Sequence, residues 1–457
     1  MTATTTDFVD SLEARSSDLS PSTVAAARCL VLDVLGVAIA GSGTVEGQTI
    51  VAAMDRMGRV GQSPIPLGRR TYDLATSALI MGTMAYSIGL TDTHADSITH
   101  PGPSVVPTAL LVGHAVGATD EQILRAIVVG VESVVRIGAV VNPSHRSRGF
   151  HPTATCNPFG TALASAYLLG ASRDQVLWSL GLAGSMAGGL YEFRQGGSML
   201  MALHGGLPAQ SGIQAAYLAS EGYSGPTTVL EGPEGFFQGF ADTIRPELLL
   251  TEEPGRFGVE EIGLRPYNAC RYAHSGIDAL QRISARHGAL DVDAVERVVV
   301  WTHRTAVDQE SDPTTLVSAR LSTCFNIALA VLRGPTLNDV SEADLHDPRI
   351  AAMVSKVEVR EDPELTALFP HQWACRVQIV MSDGTIREER VDVPKGEPEN
   401  PLTAVELEDK FRQLAVPVIG AARADKVIDM VLSPSTNREL GAVVSALGSR
   451  SEKGILA

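Results

Sequence analysis

Two long segments of the sequence contain no charged residue. Residues 149–172 and 195–220 lack Asp, Glu, Lys and Arg, and each is long enough to cross a bilayer as a helix. Both segments also carry His, Pro, Gln or Asn among many Ala, Gly and Ser residues, which is unusual for a membrane span. The sequence therefore predicts two buried helices in a soluble helical protein, with no membrane association.

The composition sets further limits on the fold and the partners. The chain has 457 residues, which suggests two or three domains. It has 43 glycines and only 5% aromatic residues, so we expect a core of closely packed small and aliphatic side chains. The net charge of −16 disfavours binding to nucleic acid, because phosphate binding needs a concentrated positive field. An anionic substrate would have to meet a local group of arginines.

The cysteines and the N-terminal residues indicate a cytoplasmic protein. The five cysteines are far apart and form no Cys-x-x-Cys motif, so neither a zinc ribbon nor a thioredoxin-type site is expected. A reduced cytoplasmic chain is the simplest explanation. The first residues lack a basic region followed by an apolar core, so no secretory signal is evident.

Apolar patterning predicts that the first half of the chain is helical. Ser20-Pro21 has the residue types of a helix start, with serine as the N-cap and proline in the first turn. The helix that follows is too densely apolar for a surface helix, so we expect it in the core, with Asp33 as a buried structural acid. Further helices are predicted at about 72–90, 103–117, 121–140, 157–170, 173–189 and 204–220.

The pattern changes near residue 265. The β-branched run Val298-Val299-Val300-Trp301 has the length of a strand. Other strands are predicted at 354–359, 375–381 and 386–393, with a hairpin at Asp383-Gly384 between the last two. Helices are predicted at about 274–287, 314–333, 402–414, 423–433 and 436–447. The fold class is therefore mainly α with an α+β insert, in which residues 1–264 and 398–457 form a large helical domain and residues 265–397 a smaller α+β domain.

The first candidate site is a cluster of acids and histidines. Asp92, His94, Asp96 and His100 place two imidazoles and two carboxylates within nine residues. Such a cluster can supply general acids and bases, can ligate a divalent metal ion, or can cap helices and hold a loop. Its spacing fits no standard metal motif, which favours acid–base chemistry.

The second candidate site surrounds His151. This histidine lies in the polar, turn-rich segment 148–156, and the proline after it restricts its backbone. Arg146 and Arg148 precede it, and the same His-Pro dipeptide occurs at His100. We therefore expect His100 and His151 to form one site, with a hydrogen-bonded structural histidine as the alternative.

The third candidate segment leads to His204. Residues 191–198 include Arg194 and several glycines, which would let backbone N–H groups approach a ligand closely. A tight connection between two helices explains the same residues equally well. Arg194 and His204 are therefore candidate substrate-binding residues, together with Arg148.

The fourth candidate segment lies where the helical and mixed regions join. Residues 265–274 include Arg265, Arg271, Tyr272 and His274. Guanidinium groups bind carboxylates bidentately, and clefts between domains commonly hold ligands. The segment is therefore a candidate carboxylate site, and a salt-bridged hinge is the alternative.

Several common motifs are missing from the sequence. It contains no Gly-x-Gly-x-x-Gly after a strand, no phosphate-binding Gly-Lys-Ser/Thr loop, no His-Glu-x-x-His and no Gly-x-Ser-x-Gly. Nucleotide-dependent chemistry and serine hydrolysis therefore lose support, and acid–base chemistry without a cofactor remains.

Segments along nearly the whole chain resemble the MmgE/PrpD family. In chain order they are Asp92-Thr93-His94, Thr99-His100-Pro101, Gly149-Phe150-His151-Pro152-Thr153-Ala154, Glu192-Phe193, Gly197-Ser198, Leu203-His204-Gly205-Gly206, Cys270-Arg271-Tyr272-Ala273-His274, Ile277-Asp278-Ala279 and Asp383-Gly384. The resemblance implies a helical domain built from both chain ends, a smaller α+β lid inserted between them, and a homodimer. It also implies small polycarboxylate substrates.

The resemblance implies a reaction class as well. Members of the family include 2-methylcitrate dehydratase, cis-aconitate decarboxylase and iminodisuccinate epimerase, which share proton transfer at a carbon next to a carboxylate. The decarboxylase and the epimerase need no cofactor. The two histidines of the decarboxylase pattern correspond to His100 and His151.

Four other positions of the decarboxylase pattern are altered in this chain. An aspartate of that pattern falls on Gly89, a lysine on Met201, a second lysine on Arg265 and a histidine on Cys270. Arg265 can still bind a carboxylate, but a guanidinium group is a poor proton shuttle. Decarboxylation of cis-aconitate is therefore not carried over.

The sequence thus favours a cofactor-independent lyase or isomerase of a small carboxylic acid. In this hypothesis His100 and His151 exchange protons with the substrate, and Asp92 orients one imidazole. The reaction can be dehydration, decarboxylation or epimerisation. The alternatives are a catalytically reduced homologue that binds a metabolite and a metal-dependent lyase that uses residues 92–100.

Overall fold

The chain divides into two compact units. The structure, a computed structural model, describes residues 4–193, 198–250, 256–307, 313–334, 340–369, 372–433 and 436–448. The first unit is formed within Met1–Gly263 and Ala404–Ala457, and the second within Leu264–Thr403. Most of the described residues are helical, and a small mixed sheet lies in the second unit. A mainly α fold with an α+β part is thus confirmed.

The first unit consists of helices. Its described helices are α1 (Thr5–Arg15), α2 (Pro21–Gly41), α3 (Val45–Arg56), α4 (Leu74–Ala85), α5 (Gly102–Val116), α6 (Asp120–Val141), α7 (Ser144–Ser147), α8 (Pro152–Leu168), α9 (Arg173–Met186), α10 (Leu200–Ser220) and α11 (Phe236–Phe240), followed by the 3-10 turns Pro246–Leu248 and Gly258–Glu261. The C-terminal part of the chain adds α19 (Ala404–Ile419), α20 (Ala421–Leu432) and α21 (Glu439–Leu447).

Helices α8 and α10 cover most of the two charge-free segments; α8 is buried along most of its length, and α10 is buried on one side. They pack against each other, and α10 also packs against α4. Small residues make these contacts possible: a Cβ atom on Gly212 would lie 2.0 Å from Thr161 Oγ1, and one on Gly206 would lie 2.1 Å from the carbonyl oxygen of Leu79. The predicted burial is confirmed for α8. It is confirmed only in part for the second segment, because Leu207, Tyr217 and Leu218 on α10 are exposed and residues 195–197 lie outside the described residues.

Helix α2 is the most apolar long helix of the unit. Ser20 caps it by accepting a hydrogen bond from the backbone N–H of Thr23. The helix is long and apolar enough to cross a membrane, and 67% of its most apolar window is buried inside the protein. Its one acid, Asp33, accepts a hydrogen bond of 2.5 Å from Lys410 Nζ on α19. Asp33 is therefore a buried, paired acid, as predicted, and it joins the two ends of the chain.

The second unit combines short helices with one sheet. Its strands are β1 (Val295–Thr302), β2 (Val357–Glu361), β3 (Cys375–Met381) and β4 (Ile386–Val391). Its helices are α12 (Arg271–His287), α13 (Arg304–Val307), α14 (Leu316–Leu321), α15 (Thr323–Arg333), α16 (Glu342–Leu345), α17 (Pro348–Val354) and α18 (Pro363–Leu368), with a 3-10 turn at Val292–Ala294.

The sheet has the strand order β2-β1-β3-β4. Strand β1 is parallel to β2 and antiparallel to β3, and β3 is antiparallel to β4. The predicted hairpin joins β3 to β4, where Gly384 has a φ of +83°, a value that favours glycine. Helices α12 and α15 pack beside the sheet, and their apolar residues share a core with alternate residues of β1 and β3.

Several predicted boundaries differ from the structure by a few residues: the helix predicted at 72–90 ends at Ala85, and the strand predicted at 354–359 is Val357–Glu361. Two further differences have a local cause. Helix α8 begins at Pro152 rather than near 157, because a proline in the first turn lacks only an N–H that needs no partner there. The helix predicted at 314–333 is divided into α14 and α15 at Ser322, which has an extended backbone and caps α15 with its hydroxyl group.

Candidate active site

His100 lies at the end of a short loop that is held at several points. Within the loop, His94 and Thr99 exchange backbone hydrogen bonds. Ile98 has a φ of +54°, which is strained for a β-branched residue. The backbone N–H of His100 donates to Thr153 Oγ1 (3.2 Å), and its carbonyl accepts from Asn157 Nδ2 (3.0 Å). His100 is therefore anchored to the first turns of α8.

The tautomer of His100 follows from its contacts. His100 Nδ1 lies 2.5 Å from the carbonyl oxygen of Asp92. A carbonyl only accepts hydrogen bonds, so Nδ1 carries the proton and Nε2 has the free electron pair. The side chain is partly exposed. His100 thus has the tautomer of a general base, with the basic electron pair on Nε2.

The carboxylate of Asp92 is buried at the start of α5. Its Oδ2 atom accepts a hydrogen bond of 2.9 Å from the backbone N–H of Gly102, where it interacts with the positive end of the helix dipole. A Cβ atom on Gly102 would lie 2.5 Å from Asp92 Oδ1. Asp92 thus contacts the His100 imidazole through its main-chain carbonyl.

His151 is placed by the junction between two chain segments. Its backbone N–H donates to the carbonyl of Gly189 (3.0 Å), and the N–H of Tyr191 donates to the carbonyl of Gly149 (2.8 Å). Residues 149–151 and 189–191 therefore form a short antiparallel bridge. His151 is also the residue before the first turn of α8. The same helix thus holds both predicted catalytic histidines.

His151 and His204 form a buried pair. Their Nδ1 atoms are 2.8 Å apart, and their side chains are 4% and 2% exposed. Two neutral imidazoles can make this contact only when one Nδ1 carries a proton and the other accepts it. The two rings are therefore opposite tautomers. His204 comes from α10, so the pair connects both of the charge-free segments.

Burial keeps both members of the pair neutral. Desolvation lowers the pKa of His204 to about 4. Desolvation also lowers the pKa of His151 well below its ordinary value, with further lowering from His204, His100 and Arg146. At neutral pH both imidazoles are therefore uncharged, which is the form a general base requires.

Tyr86 contacts both predicted catalytic histidines. Its hydroxyl oxygen is 3.4 Å from His151 Nε2, and its ring centroid is 5.5 Å from that of His100. Tyr86 is the residue that ends α4. The sequence analysis missed it, although a tyrosine that directly follows an almost uniformly apolar helix is a detectable signal in a chain with 8 tyrosines.

His94 and Asp96 belong to the loop that ends at His100. His94 contacts Ser97 and Glu261, and Asp96 is exposed to solvent. His94 Nδ1 is 2.8 Å from Ser97 Oγ, and its Nε2 is 3.1 Å from Glu261 Oε2. The hydrogen bond from His94, together with nearby arginines, lowers the pKa of Glu261 to about 2. His94 therefore fastens the loop to the 3-10 turn Gly258–Glu261. Within the described residues, no three His, Cys, Asp or Glu side chains are grouped as metal ligands.

The arginines near His151 differ in their surroundings. Arg148 is partly exposed and lies 3.6 Å from Asp242 Oδ1. The guanidinium carbon of Arg146 is 3.3 Å from the ring centroid of Tyr191, whose ring packs edge-on against His151. Arg146 is therefore linked to the histidine pair through Tyr191. The predicted contact residue Arg194 lies outside the described residues.

The other predicted carboxylate-binding residues belong to the second unit. Arg271 starts α12, forms an ion pair with Glu397, and lies 5.4 Å above the ring of Trp373. Burial and the neighbouring Arg265 lower the pKa of Arg271 to about 9. Tyr272 stacks on Trp373 at 5.4 Å.

His274 is buried within the same unit. Its Nε2 atom donates a hydrogen bond of 3.1 Å to the carbonyl of Ala269, and its ring packs edge-on against Tyr267. His274 thus holds the segment before α12 against the helix. This contact favours a structural role for the residue, whereas the sequence suggested substrate binding.

The chain combines a helical unit, which contains a buried histidine pair, with an α+β unit. Both parts match the models of one protein family. The model of the MmgE/PrpD N-terminal domain matches residues 4–248, and that of the C-terminal domain matches residues 267–434. The chain belongs to the MmgE/PrpD family.

Several relatives of the chain are named as cis-aconitate decarboxylases or as similar to them. The cis-aconitate decarboxylase-like protein oryM of Aspergillus oryzae is 24% identical over 461 residues, covering 95% of each chain. The cis-aconitate decarboxylase of Homo sapiens is 25% identical and covers 88% of this chain and 85% of its own. That of Aspergillus terreus is 26% identical and covers 80% and 79%.

Proposed function

We propose that this protein is a lyase or isomerase that removes a proton from a carbon next to a carboxylate of a small organic acid. The observation that carries the proposal is the contact of 2.8 Å between the Nδ1 atoms of His151 and His204, next to Tyr86, which also contacts His100. Family membership and the decarboxylases among the relatives support a lyase.

In this mechanism the Nδ1–H group of His151 donates a hydrogen bond to His204 Nδ1, and His151 Nε2 keeps the basic electron pair. The Tyr86 hydroxyl group donates to that atom when no substrate is bound. When Nε2 takes a proton from substrate carbon, the positive charge on His151 is stabilised through its hydrogen bond to His204. The pair thus has the organisation of an oriented general base.

His100 supplies the second proton-transfer group. Its Nε2 atom also has a free electron pair, because Nδ1 donates to the carbonyl of Asp92. After one histidine removes the proton, the electron pair of the broken C–H bond moves into an enediolate. If the histidine that took the proton passes it to a leaving hydroxyl group, water departs and dehydration results. Epimerisation needs the other histidine in its protonated form, so that it delivers a proton to the opposite face while the first histidine keeps the proton it removed. In decarboxylation the electron pair comes from the broken C–C bond, carbon dioxide leaves, and a histidine that has taken a proton from solvent supplies the new C–H bond.

The altered family positions bear on the substrate rather than on this step. Met201 and Cys270 replace a lysine and a histidine of the decarboxylase pattern. We therefore propose a substrate with fewer carboxylates, or with a different arrangement of them, than cis-aconitate. Carboxylate binding is assigned to Arg146, Arg148, Arg265 and Arg271 as candidates.

Incubation with di- and tricarboxylic acids in deuterium oxide tests the proposal. We expect proton NMR to detect deuterium at carbon, a new alkene or loss of carbon dioxide with at least one acid. His151→Ala and His100→Ala should abolish the reaction, whereas His114→Ala, which changes an exposed histidine bonded to Ser445, should not. No reaction with any acid would instead favour a metabolite-binding homologue.

We further propose that the protein is a cytoplasmic homodimer, as the family resemblance implies. Sedimentation velocity of the purified chain tests this: a single species near twice the chain mass of 48.2 kDa is expected, and a monomer would contradict it.

A further inference from the structure

A cavity lies in the helical unit, among residues that have no part in the proposed mechanism. Its volume is about 430 Å³, within the usual range for small-molecule sites. It is formed by α3, by the segment between α3 and α4, and by Met84 in the last turn of α4. No residue of the proposed catalytic group lines it.

The walls of this cavity are largely apolar. They include Val51 and Ala52 on α3, Ile65 and Leu67 in the following segment, and Met84. Ile65 is 1% exposed and Met84 is 3% exposed, so this side of the cavity belongs to the core, whereas Val51 is half-buried and Ala52 is exposed. A ligand with an apolar body of a few carbon atoms would therefore find matching surface there.

Arginine side chains line the same cavity. Arg69 has no hydrogen bond or ion pair with any residue that the structure describes, and Arg70 has one contact of 3.7 Å with Asp55. The segment 55–73 contains four arginines and two aspartates, in a chain whose net charge is −16. The cavity therefore combines apolar walls with guanidinium groups whose hydrogen-bond donors are available.

The chain conformation that places these arginines is strained. Leu67 is 9% exposed and has a φ of +58°, which residues other than glycine rarely adopt. Its N–H donates to the carbonyl of Leu447 on α21 (2.9 Å), and a Cβ atom on the next residue, Gly68, would lie 2.4 Å from Ile65 Cγ1. Strained backbone of this kind is concentrated at functional sites.

A polar group closes one part of the cavity. Tyr72 is buried, and its hydroxyl group donates a hydrogen bond of 2.9 Å to Asp55 Oδ1. Burial and this neighbouring carboxylate raise the pKa of Tyr72 to about 12, so the phenol stays neutral and adds no negative charge. Among the described residues that line the cavity, Asp55 is the one acid. Its carboxylate already accepts a hydrogen bond from Tyr72 and lies 3.7 Å from Arg70.

We propose that this cavity binds a small carboxylic acid with an apolar body, with its carboxylate at Arg69 and Arg70 and its carbon chain against Val51, Ala52 and Met84. The site is separate from the histidine pair. Its end at Met84 is two residues from Tyr86, so a bound ligand would contact the same turn of α4 that precedes the proposed catalytic group.

Isothermal titration with pentanoate tests the proposal. We expect saturable binding of pentanoate by the whole protein, and weaker binding of pentanol, which lacks the charge, and of inorganic phosphate, which lacks the apolar body. Arg69→Gln should raise the dissociation constant of pentanoate by about tenfold or more, because the lost hydrogen bond to a charged group corresponds to a change in affinity of about that size. Arg59→Gln is the matched control, because Arg59 is exposed on the same segment and does not line the cavity.

A second variant tests the shape of the site independently of charge. Ala52→Phe places a larger side chain in the cavity from an exposed helix position, and it should also abolish pentanoate binding without lowering the melting temperature. The proposal is overturned by the absence of binding at about 10 mM pentanoate. It is equally overturned by binding that neither Arg69→Gln nor Ala52→Phe weakens, which would place pentanoate at another site.

Discussion

The contact between His151 and His204 predicts a particular effect of replacing His204 with leucine. Leucine removes the Nδ1 partner and leaves His151 Nδ1 buried without it. An unsatisfied buried polar group costs about 1–3 kcal/mol. If this cost falls on the transition state, turnover should decrease by about 5- to 150-fold, since about 1.4 kcal/mol corresponds to a factor of ten.

Asparagine at the same position is the matched comparison. Its amide nitrogen or oxygen can take the place of the histidine Nδ1 atom and can donate to or accept from His151. His204→Asn should therefore retain most of the turnover that His204→Leu loses. The ¹⁵N chemical shifts of the His151 ring would report its tautomer directly in both variants.

The pH profile separates a role in catalysis from a role in packing. His204 is neutral at neutral pH, and in the proposed mechanism its hydrogen bond stabilises protonated His151. His204→Leu removes that bond and should lower the pKa of His151 further, so the acid limb of kcat/KM should move to lower pH, whereas His204→Asn should keep the acid limb near that of the wild type. The assay is initial rate against pH with the acid that exchanges deuterium. Equal turnover and equal pH profiles for wild type, His204→Asn and His204→Leu would refute the pair mechanism.

Three further predictions concern stability. Lys410→Met should cost about 3–5 kcal/mol in urea denaturation by leaving Asp33 buried and unpaired, and the double variant with Asp33→Asn should recover much of it; a loss below about 1 kcal/mol would contradict this. Gly189→Ala should lower both the melting temperature and turnover, because its Cβ atom would lie 2.3 Å from Ala154 Cβ; wild-type values would contradict this. Burial lowers the pKa of His145 to about 4 from 6.5. The unfolded chain therefore binds more protons between these values, so the free energy of unfolding should fall as pH decreases through that range, by at most about 1.4 kcal/mol per pH unit for this histidine; a flat profile would contradict it.

Local patterns predicted the elements of the fold because their causes are local. The β-branched run at 298–301 lies within β1, and the predicted strand 375–381 coincides with β3. Ser20-Pro21 begins α2, because a serine side chain and a proline ring act within one turn. The break at Ser322 was missed, because serine is also tolerated inside helices and apolar residues continue on both sides of it.

The arrangement of the candidate site depends on contacts that local patterns do not report. The bridge between 149–151 and 189–191 joins segments about forty residues apart, and a two-residue pairing leaves no periodic signal. The contact of His204 with His151 depends on the register of α10 against α8. The His-Pro dipeptides identified two candidate residues, but their tautomers follow only from the carbonyl of Asp92 and from the Nδ1 atoms of the pair.

Two of the positions that differ from the decarboxylase pattern, Gly89 and Met201, lie in the helical unit. Gly89 has a φ of +68°, so the loop before Asp92 turns at a point where an aspartate side chain would be strained. Met201 is on α10 one turn before His204, where a lysine would place a cation one helical turn from the histidine pair. Met201 offers no positive charge to a substrate carboxylate at that point of the helix. This agrees with the proposed substrate, which has fewer carboxylates than cis-aconitate or a different arrangement of them.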